Sequence, residues 1–256
     1  MSRTKAIITT ICILALAESA RPGELHVPDD YNTIQAAIDA AYDGDTVIVA
    51  DGTYTGEGNR DIDFLGKAIT VKSESGPVNC IIDCNGDGRG FYFYSGEDQN
   101  SVLDGFTITK GRTSVGGGIR CRFSSPVISN CIITGNNAIR GFTSEGGGID
   151  CVRSSAIITD CIIEGNSAFS KGGGIYCYKS NLVINNSTIS ENSAGSRGGI
   201  LCEEDCNLTI SNCTITRNEG AGVWCDGNLT ITNSTISNHS STGPGGGIYC
   251  SGGLII

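Results

Sequence analysis

The chain has 256 residues and a formal net charge of −10, with 37 glycines, seven phenylalanines and one tryptophan. So many glycines and so few large apolar side chains argue against a conventional globular core and favour a repeat architecture rich in turns. The acidic balance, without any run of Lys or Arg, argues against a nucleic-acid partner, because such binding depends on clustered cations.

The first 20 residues have the pattern of a secretory signal peptide. Arg3 and Lys5 precede a short apolar run from Ala6 to Ala17, and Ala20 offers a small-residue cleavage site. The run is too short to cross a bilayer as a helix, and the mature sequence has no comparably apolar segment. We therefore expect a protein that is secreted or held at the outer surface of the cell envelope, with no transmembrane helix in its mature part.

Residues 24–256 are predicted to form one domain that begins with a helix over residues 31–41. One face of this helix is apolar, formed by Ile34, Ala37, Ile38 and Ala41. Asn32 is the expected N-cap, and Gln35 is its expected capping-box partner. A strand is predicted at residues 46–50. We interpret the helix as a cap, because the end of a solenoid otherwise exposes its apolar core.

Residues 83–88, "DCNGDG", partly match a calcium-binding loop. Asp83, Asn85 and Asp87 fit the opening positions of an EF-hand loop, but Tyr94 stands where the bidentate Glu is required. A tight turn is the favoured interpretation, with calcium as the weaker alternative. No other metal or cofactor site is predicted.

Residues 116–256 repeat a motif of the form Gly-Gly-Gly-Ile-x-Cys roughly every 25 residues, which is typical of a solenoid. A second motif follows each copy, such as "NLTISNCTITRN" from Asn207. Its two alternating apolar runs are separated by one extra residue, which predicts two short strands joined by a bend. The bend residue is Asn or Asp in each copy: Asn130, Asp160, Asn186, Asn212 and Asn233. Three strands per period predict an all-β parallel β-helix with coils about 4.8 Å apart.

Each repeated position should form a ladder along the axis of such a solenoid. The motif cysteines are expected inside, at Cys121, Cys151, Cys177, Cys202, Cys225 and Cys250, with a second set at Cys131, Cys161 and Cys213. Reduced cysteines that fill a narrow core are favoured, with disulfides and then metal binding as alternatives. A third ladder is predicted at Asn136, Asn166, Asn192 and Asn218, whereas Asn238 comes one residue early.

The residue between Ile and Cys of each glycine motif should face outward. Four aromatic residues on this face are candidate carbohydrate-binding residues: Tyr176, Tyr178, Trp224 and Tyr249. Strand aromatics without a ligand are the favoured alternative.

Arg120 and Asp150 stand on neighbouring coils and are the best candidates for a catalytic pair, although a cross-strand ion pair explains them equally well. His26 and His239 are expected in loops, without an evident partner.

Two stretches resemble known families. The segment "TIQAAIDAAYDGDTVIVADGTY" from Thr33 resembles the start of the pectin-lyase-like right-handed parallel β-helix superfamily, which includes pectin methylesterases. The pairing in "IIEGNSAFSKGGGIYC" from Ile162 resembles the repeats of polymorphic outer-membrane and related bacterial surface proteins. These resemblances cover nearly the whole mature chain and imply a right-handed parallel β-helix. The superfamily's enzymes act on acidic polysaccharides, but their catalytic carboxylate, Arg and Gln sets do not map onto this sequence.

The sequence thus favours a secreted or cell-surface β-helix segment that is structural or adhesive rather than catalytic. Its expected partner is an extracellular polysaccharide or a host or cell-surface glycan. A polysaccharide lyase or hydrolase is the alternative, since fold alone does not determine activity. The chain stops at "GGLII", partway into a strand pair, from which we expect more protein beyond Ile256.

Overall fold

The computed structural model describes residues 22–139, 144–241 and 246–256. Within these ranges the chain has one helix and many short strands, and no helix is long and apolar enough to cross a membrane. The predicted signal peptide, residues 1–20, lies outside the described residues.

The described strands form three long sheets and one short sheet, and each paired strand runs parallel to its neighbour. Sheet 1 comprises Glu24–Val27, Thr46–Val49, Thr70–Ser73, Val102–Asp104, Val127–Ser129, Ile157–Thr159, Asn181–Asn185, Asn207–Ser211, Asn228–Thr232 and Leu254–Ile255. Sheet 2 comprises Phe91–Phe93, Ile119–Arg122, Ile149–Val152, Ile175–Tyr178, Ile200–Glu203, Val223–Cys225 and Ile248–Cys250. Sheet 3 comprises Gly52–Tyr54, Cys80–Asp83, Thr107–Thr109, Ile132–Thr134, Ile162–Glu164, Thr188–Ser190, Thr214–Thr216 and Thr235–Ser237.

The chain visits sheets 2, 1 and 3 in turn in each regular coil, which confirms the predicted three strands and the parallel β-helix. A short fourth sheet was not anticipated by the sequence. It comprises Arg112–Thr113, Asn137–Ala138, Ser167–Lys171 and Ser193–Ser196. Its strands follow sheet 3 and lead into the glycine-rich strands of sheet 2.

The parallel register stacks the repeated residues of neighbouring coils in ladders. Cys121 pairs with Cys151, and Cys151 pairs with Cys177, as do the isoleucines two residues before them. The motif cysteines are buried except for Cys250, which is partly exposed. The cysteines of the described residues are all unbonded thiols, which agrees with a packing role. Burial raises the pKa of the Cys84 thiol to about 12, so this thiol stays protonated and unreactive at neutral pH.

The bends between sheets 1 and 3 have the left-handed backbone that the sequence predicted. The angle φ is +49° at Asn130, +55° at Asp160 and +48° at Asn186. Asn and Asp adopt this conformation more readily than other non-glycine residues, because their short polar side chains bond to local backbone groups. The chain therefore bends from sheet 1 to sheet 3 at a defined residue in each of these coils.

The predicted asparagine ladder is present and fully buried at Asn136, Asn166, Asn192 and Asn218. The side-chain oxygen of Asn166 accepts hydrogen bonds from the backbone N–H of Asn136 at 3.0 Å and from its side-chain amide at 3.1 Å. The Asn136 amide also donates to the carbonyl of Ile108 at 2.9 Å. The same pair of bonds joins Asn166 to Asn192 and Asn192 to Asn218, so the ladder satisfies polar groups that would otherwise be buried unpaired.

The ladder ends at a histidine rather than at an early asparagine. His239 occupies the next rung, and its Nδ1 accepts the backbone N–H of Asn218 at 3.2 Å. His239 lies in a loop, as expected, but the expectation that it has no partner was wrong. His26 was also expected in a loop, but it lies in the first strand of sheet 1.

Two predictions about the first coils need correction. The helix spans Ile34–Ala40, and its N-cap is Thr33, whose hydroxyl accepts the N–H of Ala36 at 3.2 Å, rather than Asn32. Gln35 makes no capping box. Instead, its amide bonds to the backbone of Asp63 in both directions, at 3.0 and 2.9 Å, and so ties the helix to the next coil. The helix buries Ile34, as a cap on the core should.

The segment of residues 83–88 forms a turn in which the carboxylates already have partners. Asp83 bonds to Lys110 at 2.6 Å and to the backbone N–H of Asn85 at 2.8 Å, and Asp87 pairs with Arg60. Within the described residues, no group of three or more His, Cys, Asp or Glu side chains is arranged to hold a metal ion.

Completing the ladder should stabilise the protein. His239→Asn restores the residue type of the preceding rungs. The 3.2 Å hydrogen bond to the imidazole would be replaced by the two bonds to an amide oxygen seen at those rungs. We expect the free energy of unfolding to increase by about 1 kcal/mol. For a chain of this size the melting temperature should rise by about 2 °C. Thermal unfolding followed by circular dichroism at pH 7.5 measures the change, and a lower melting temperature would contradict the role given to this rung.

The same variant should change the response to acid. Burial lowers the pKa of His239 in the folded state. The unfolded chain therefore takes up the proton first, and wild-type stability should fall as the pH drops below about 6.5 and level off once it is under the folded pKa. His239→Asn should lack this loss, and equal pH profiles of the two proteins would argue against it.

Candidate ligand-binding face

The outward side of sheet 2 carries one continuous row of side chains. Strand register places the row in the order Tyr92, Arg120, Asp150, Tyr176, Leu201, Trp224 and Tyr249. These residues alternate with the buried isoleucine and cysteine ladders, because successive side chains of a strand point to opposite faces. The row includes three of the four predicted sugar-binding residues and both predicted catalytic residues.

Arg120 and Asp150 are brought together as predicted. The Arg120 Nε donates to Asp150 Oδ2 at 3.0 Å. Asp150 is only 1% exposed, and its Oδ1 has no hydrogen-bond partner in the described part of the chain. Burial raises the pKa of this carboxyl to about 7, although the neighbouring Arg120 guanidinium partly opposes the increase. The raised pKa of Asp150 is typical of a general acid or base, but its carboxyl group is not accessible to solvent.

The N-terminal end of the row is cationic and aromatic. The guanidinium of Arg89 lies 4.7 Å from the centre of the Tyr92 ring, and that of Arg120 lies 5.5 Å from it. Arg89 is anchored by Asp61, with Nε 3.2 Å from Oδ1. These cations are therefore held by rings and carboxylates of the protein.

Tyr176 lies in the row but is only 4% exposed. Its hydroxyl donates to Glu203 Oε2 at 2.9 Å, and Lys171 Nζ donates to both Glu203 oxygens at 2.9 and 2.8 Å. Tyr178 is one residue beyond the motif cysteine, and its hydroxyl donates to Glu204 at 2.9 Å. Tyr176 thus positions a carboxylate rather than offering an open ring face.

Trp224 and Tyr249 form a stacked pair at the C-terminal end of the row. Their ring centres are 3.7 Å apart and their planes differ by 18°. The Trp224 indole N–H donates to Asp226 at 3.0 Å. The guanidinium of Arg197, from the preceding coil, lies 3.7 Å from the centre of the Trp224 ring. The indole is therefore contacted on both faces, by Tyr249 on one and by Arg197 on the other.

A polar groove of about 620 Å³ lies beside this pair. It is lined by Lys171, Glu203, Glu204, Asp205 and Asp226. Asp226 lines the groove and also accepts the Trp224 hydrogen bond, so Asp226 connects the aromatic pair to the groove. We call the groove together with Trp224 and Tyr249 the aromatic groove. It combines ring faces with carboxylate acceptors and an ammonium donor.

Sequence reasoning missed Arg197 and the groove carboxylates Glu204 and Asp205. A signal for Arg197 was present, because "SRGGI" breaks the three-glycine motif at its first position. The carboxylates carried no comparable signal, since they lie in an irregular turn after the motif cysteine. Both Glu204 and Asp205 have a positive φ there, +50° and +48°.

Comparisons with known proteins agree on the fold. A family model described as a right-handed β-helix region matches residues 153–255, and none of the curated proteins matches the chain. The crystal structure of pectate lyase Pel9A matches with a TM-score of 0.50 and 15% identity, over 93% of this chain and 78% of that protein. A pectin methylesterase from Aspergillus niger matches with a TM-score of 0.51 and 14% identity, over 100% and 87%. The resemblance to polymorphic outer-membrane repeats stays a prediction. The chain has the right-handed parallel β-helix of the pectin-lyase-like fold.

Proposed function

We propose that the chain is an exported, non-catalytic β-helix protein that binds a neutral polysaccharide or cell-surface glycan in the aromatic groove. The observation that carries this proposal is the stacked Trp224–Tyr249 pair, which Asp226 connects by a hydrogen bond to a polar groove of about 620 Å³. The regular coils provide a stiff scaffold for an adhesive or structural role. Export rests on the signal pattern of residues 1–20.

The chemistry of the aromatic groove suits a sugar chain. The C–H face of a sugar ring is apolar and packs on an aromatic ring, while its hydroxyls need acceptors and donors. Asp226 and Asp205 offer acceptors, and Lys171 offers a donor. Binding sites of this kind combine apolar surface with a few well-placed polar groups.

The charge of the groove favours a neutral ligand. Its lining carries four carboxylates and one ammonium group. The ammonium of Lys171 is already engaged by Glu203, so a uronic acid would meet mainly negative charge. Like charges brought together at a binding surface weaken association. The proposed ligand therefore differs from pectate, the substrate that the name of the structural neighbour states for that enzyme.

Removal of the indole should weaken glycan binding. Trp224→Ala should reduce the affinity for cellohexaose or xylohexaose at least about tenfold, or ~1.4 kcal/mol, because a stacked ring is lost. Tyr42→Ala is the matched control, since Tyr42 is 79% exposed and lies far from the groove in the first coils. Isothermal titration calorimetry measures both variants, and trigalacturonate should bind more weakly than either neutral sugar. Equal affinity of wild type and Trp224→Ala would contradict the proposal.

A second candidate, a polysaccharide lyase or hydrolase, is favoured by one observation. Asp150 has a pKa of about 7 and an unpartnered oxygen beside Arg120, and a carboxyl half protonated near neutral pH suits general acid catalysis. Its burial opposes this role, because a general acid must reach the substrate. A cross-strand ion pair accounts for the same contacts.

Asp150→Asn separates the two interpretations. If the pair is structural, neither wild type nor variant should release products from polygalacturonate, alginate or xylan. Wild-type stability should fall as the pH rises from about 4 to about 7, because the folded pKa is raised and the unfolded chain ionises first. The variant should lack this loss in thermal unfolding.

Asp160→Asn is the control for the charge change. It removes one carboxylate at a bend where Asn130 and Asn186 already stand, and so it should leave the pH profile unchanged. Product release by wild type that disappears in Asp150→Asn but not in Asp160→Asn would favour the enzyme instead.

A further inference from the structure

Arg197 occupies a position that other coils reserve for glycine. The first residue of the motif has a φ of +62° at Gly116, +64° at Gly146 and +62° at Gly172. Arg197 has the same left-handed backbone, with a φ of +56°. Any residue with a Cβ is less favourable than glycine in this conformation, because the Cβ crowds the following carbonyl oxygen. Arg197 therefore carries a side chain at a position where those three coils have none.

The contact that Arg197 makes is with the only tryptophan of the chain. Its guanidinium lies 3.7 Å from the centre of the indole ring, at the distance of a close cation–π contact. Tyr249 comes from the following coil and stacks on the opposite face. Arg197 therefore occupies the one indole face that Tyr249 leaves for a ligand.

Little else fastens the Arg197 side chain. Its Nε is buried and has no hydrogen-bond partner in the described residues. Arg120 and Lys171, also on this face, each have a carboxylate partner at 3.0 Å or less, and no such pair is found for Arg197 among the described side chains. Moving its guanidinium off the ring would cost the cation–π contact but would break no observed ion pair.

We propose that Arg197 is a displaceable cover that regulates access to Trp224. This inference rests on the proposed function of the aromatic groove. A sugar ring must replace the guanidinium on the indole face, and the groove carboxylates can receive the displaced cation. The measured affinity is then the intrinsic affinity multiplied by the fraction of molecules in which the cover is open.

Arg197→Gly tests the cover and restores the residue of the other coils. Arg217→Gly is the matched control: Arg217 also has a positive φ, +53°, at a rung where Gly135 and Gly165 stand, and it pairs with Glu191 away from Trp224. Since the chain has a single tryptophan, acrylamide quenching of its fluorescence reports on Trp224 alone. Each protein is measured as the mature chain, first without and then with cellohexaose.

The cover predicts more efficient quenching of Arg197→Gly than of wild type or Arg217→Gly in the absence of sugar. Cellohexaose should then bind about fivefold more tightly to Arg197→Gly, which corresponds to the loss of a contact of about 1 kcal/mol. Equal quenching of Arg197→Gly and wild type would contradict the cover, regardless of the sugar affinities. Weaker sugar binding by Arg197→Gly would also overturn it, because Arg197 would then be part of the binding surface.

The proposed function can fail separately from the cover. If quenching rises in Arg197→Gly but cellohexaose, xylohexaose and trigalacturonate bind to none of the proteins, the glycan site itself is contradicted. The regulatory role then falls with it, while the contact between Arg197 and Trp224 stands as a structural feature.

Discussion

The close approach of the glycine-rich strands to the buried asparagine ladder is the constraint on which the regular coils depend. A Cβ on Gly118 would lie 3.0 Å from the Asn136 amide nitrogen, and one on Gly174 would lie 3.0 Å from that of Asn192. One position earlier, a Cβ on Gly117 would lie 2.4 Å from the carbonyl oxygen of Gly147. A Cβ at Gly117 or Gly118 would therefore collide with the next coil or with the ladder, whereas a later coil accommodates Ala221 at the position of Gly117.

This constraint also determines where variation is possible. Core positions must fit a narrow interior, and the glycine and asparagine positions must allow adjacent coils to touch. The outward row of sheet 2 neither fills the interior nor lies where adjacent coils touch. It holds Tyr, Arg, Asp, Leu and Trp in different coils. A solenoid of this kind can therefore change its surface chemistry without changing its fold, as expected when function is located in side chains grafted on a common scaffold.

Most of the fold could be predicted because each coil has the same packing and turn requirements, which are met by the same residue types at the same spacing. The bend at Asn130, the buried Cys151 and the rung at Asn166 follow from letters that recur at one spacing. The exceptions occur where a coil departs from the repeat. His239 replaces an asparagine rung, and Thr33 rather than Asn32 caps the helix. In both places the choice between two adjacent residues depends on local backbone geometry, which the sequence period does not specify.

The candidate site was less predictable, because exposure depends on neighbouring turns. The period places Tyr176 and Trp224 on the same outward row, yet Tyr176 is buried against Glu203 while Trp224 lies between Arg197 and Tyr249. Asp150 likewise faces outward but is closed to solvent. These differences arise from partners that change from coil to coil, such as Glu203 beside Tyr176 and Arg197 beside Trp224.

The central claim is that Trp224 lies in a glycan-binding site, and the indole N–H reports on it directly. The single tryptophan gives one indole signal in a ¹⁵N-correlated NMR spectrum, and its proton is bonded to the groove residue Asp226. Titration with cellohexaose should shift this signal progressively until the site is saturated. An indole signal that stays in place, while the sugar binds and shifts backbone signals on another face, would contradict the account.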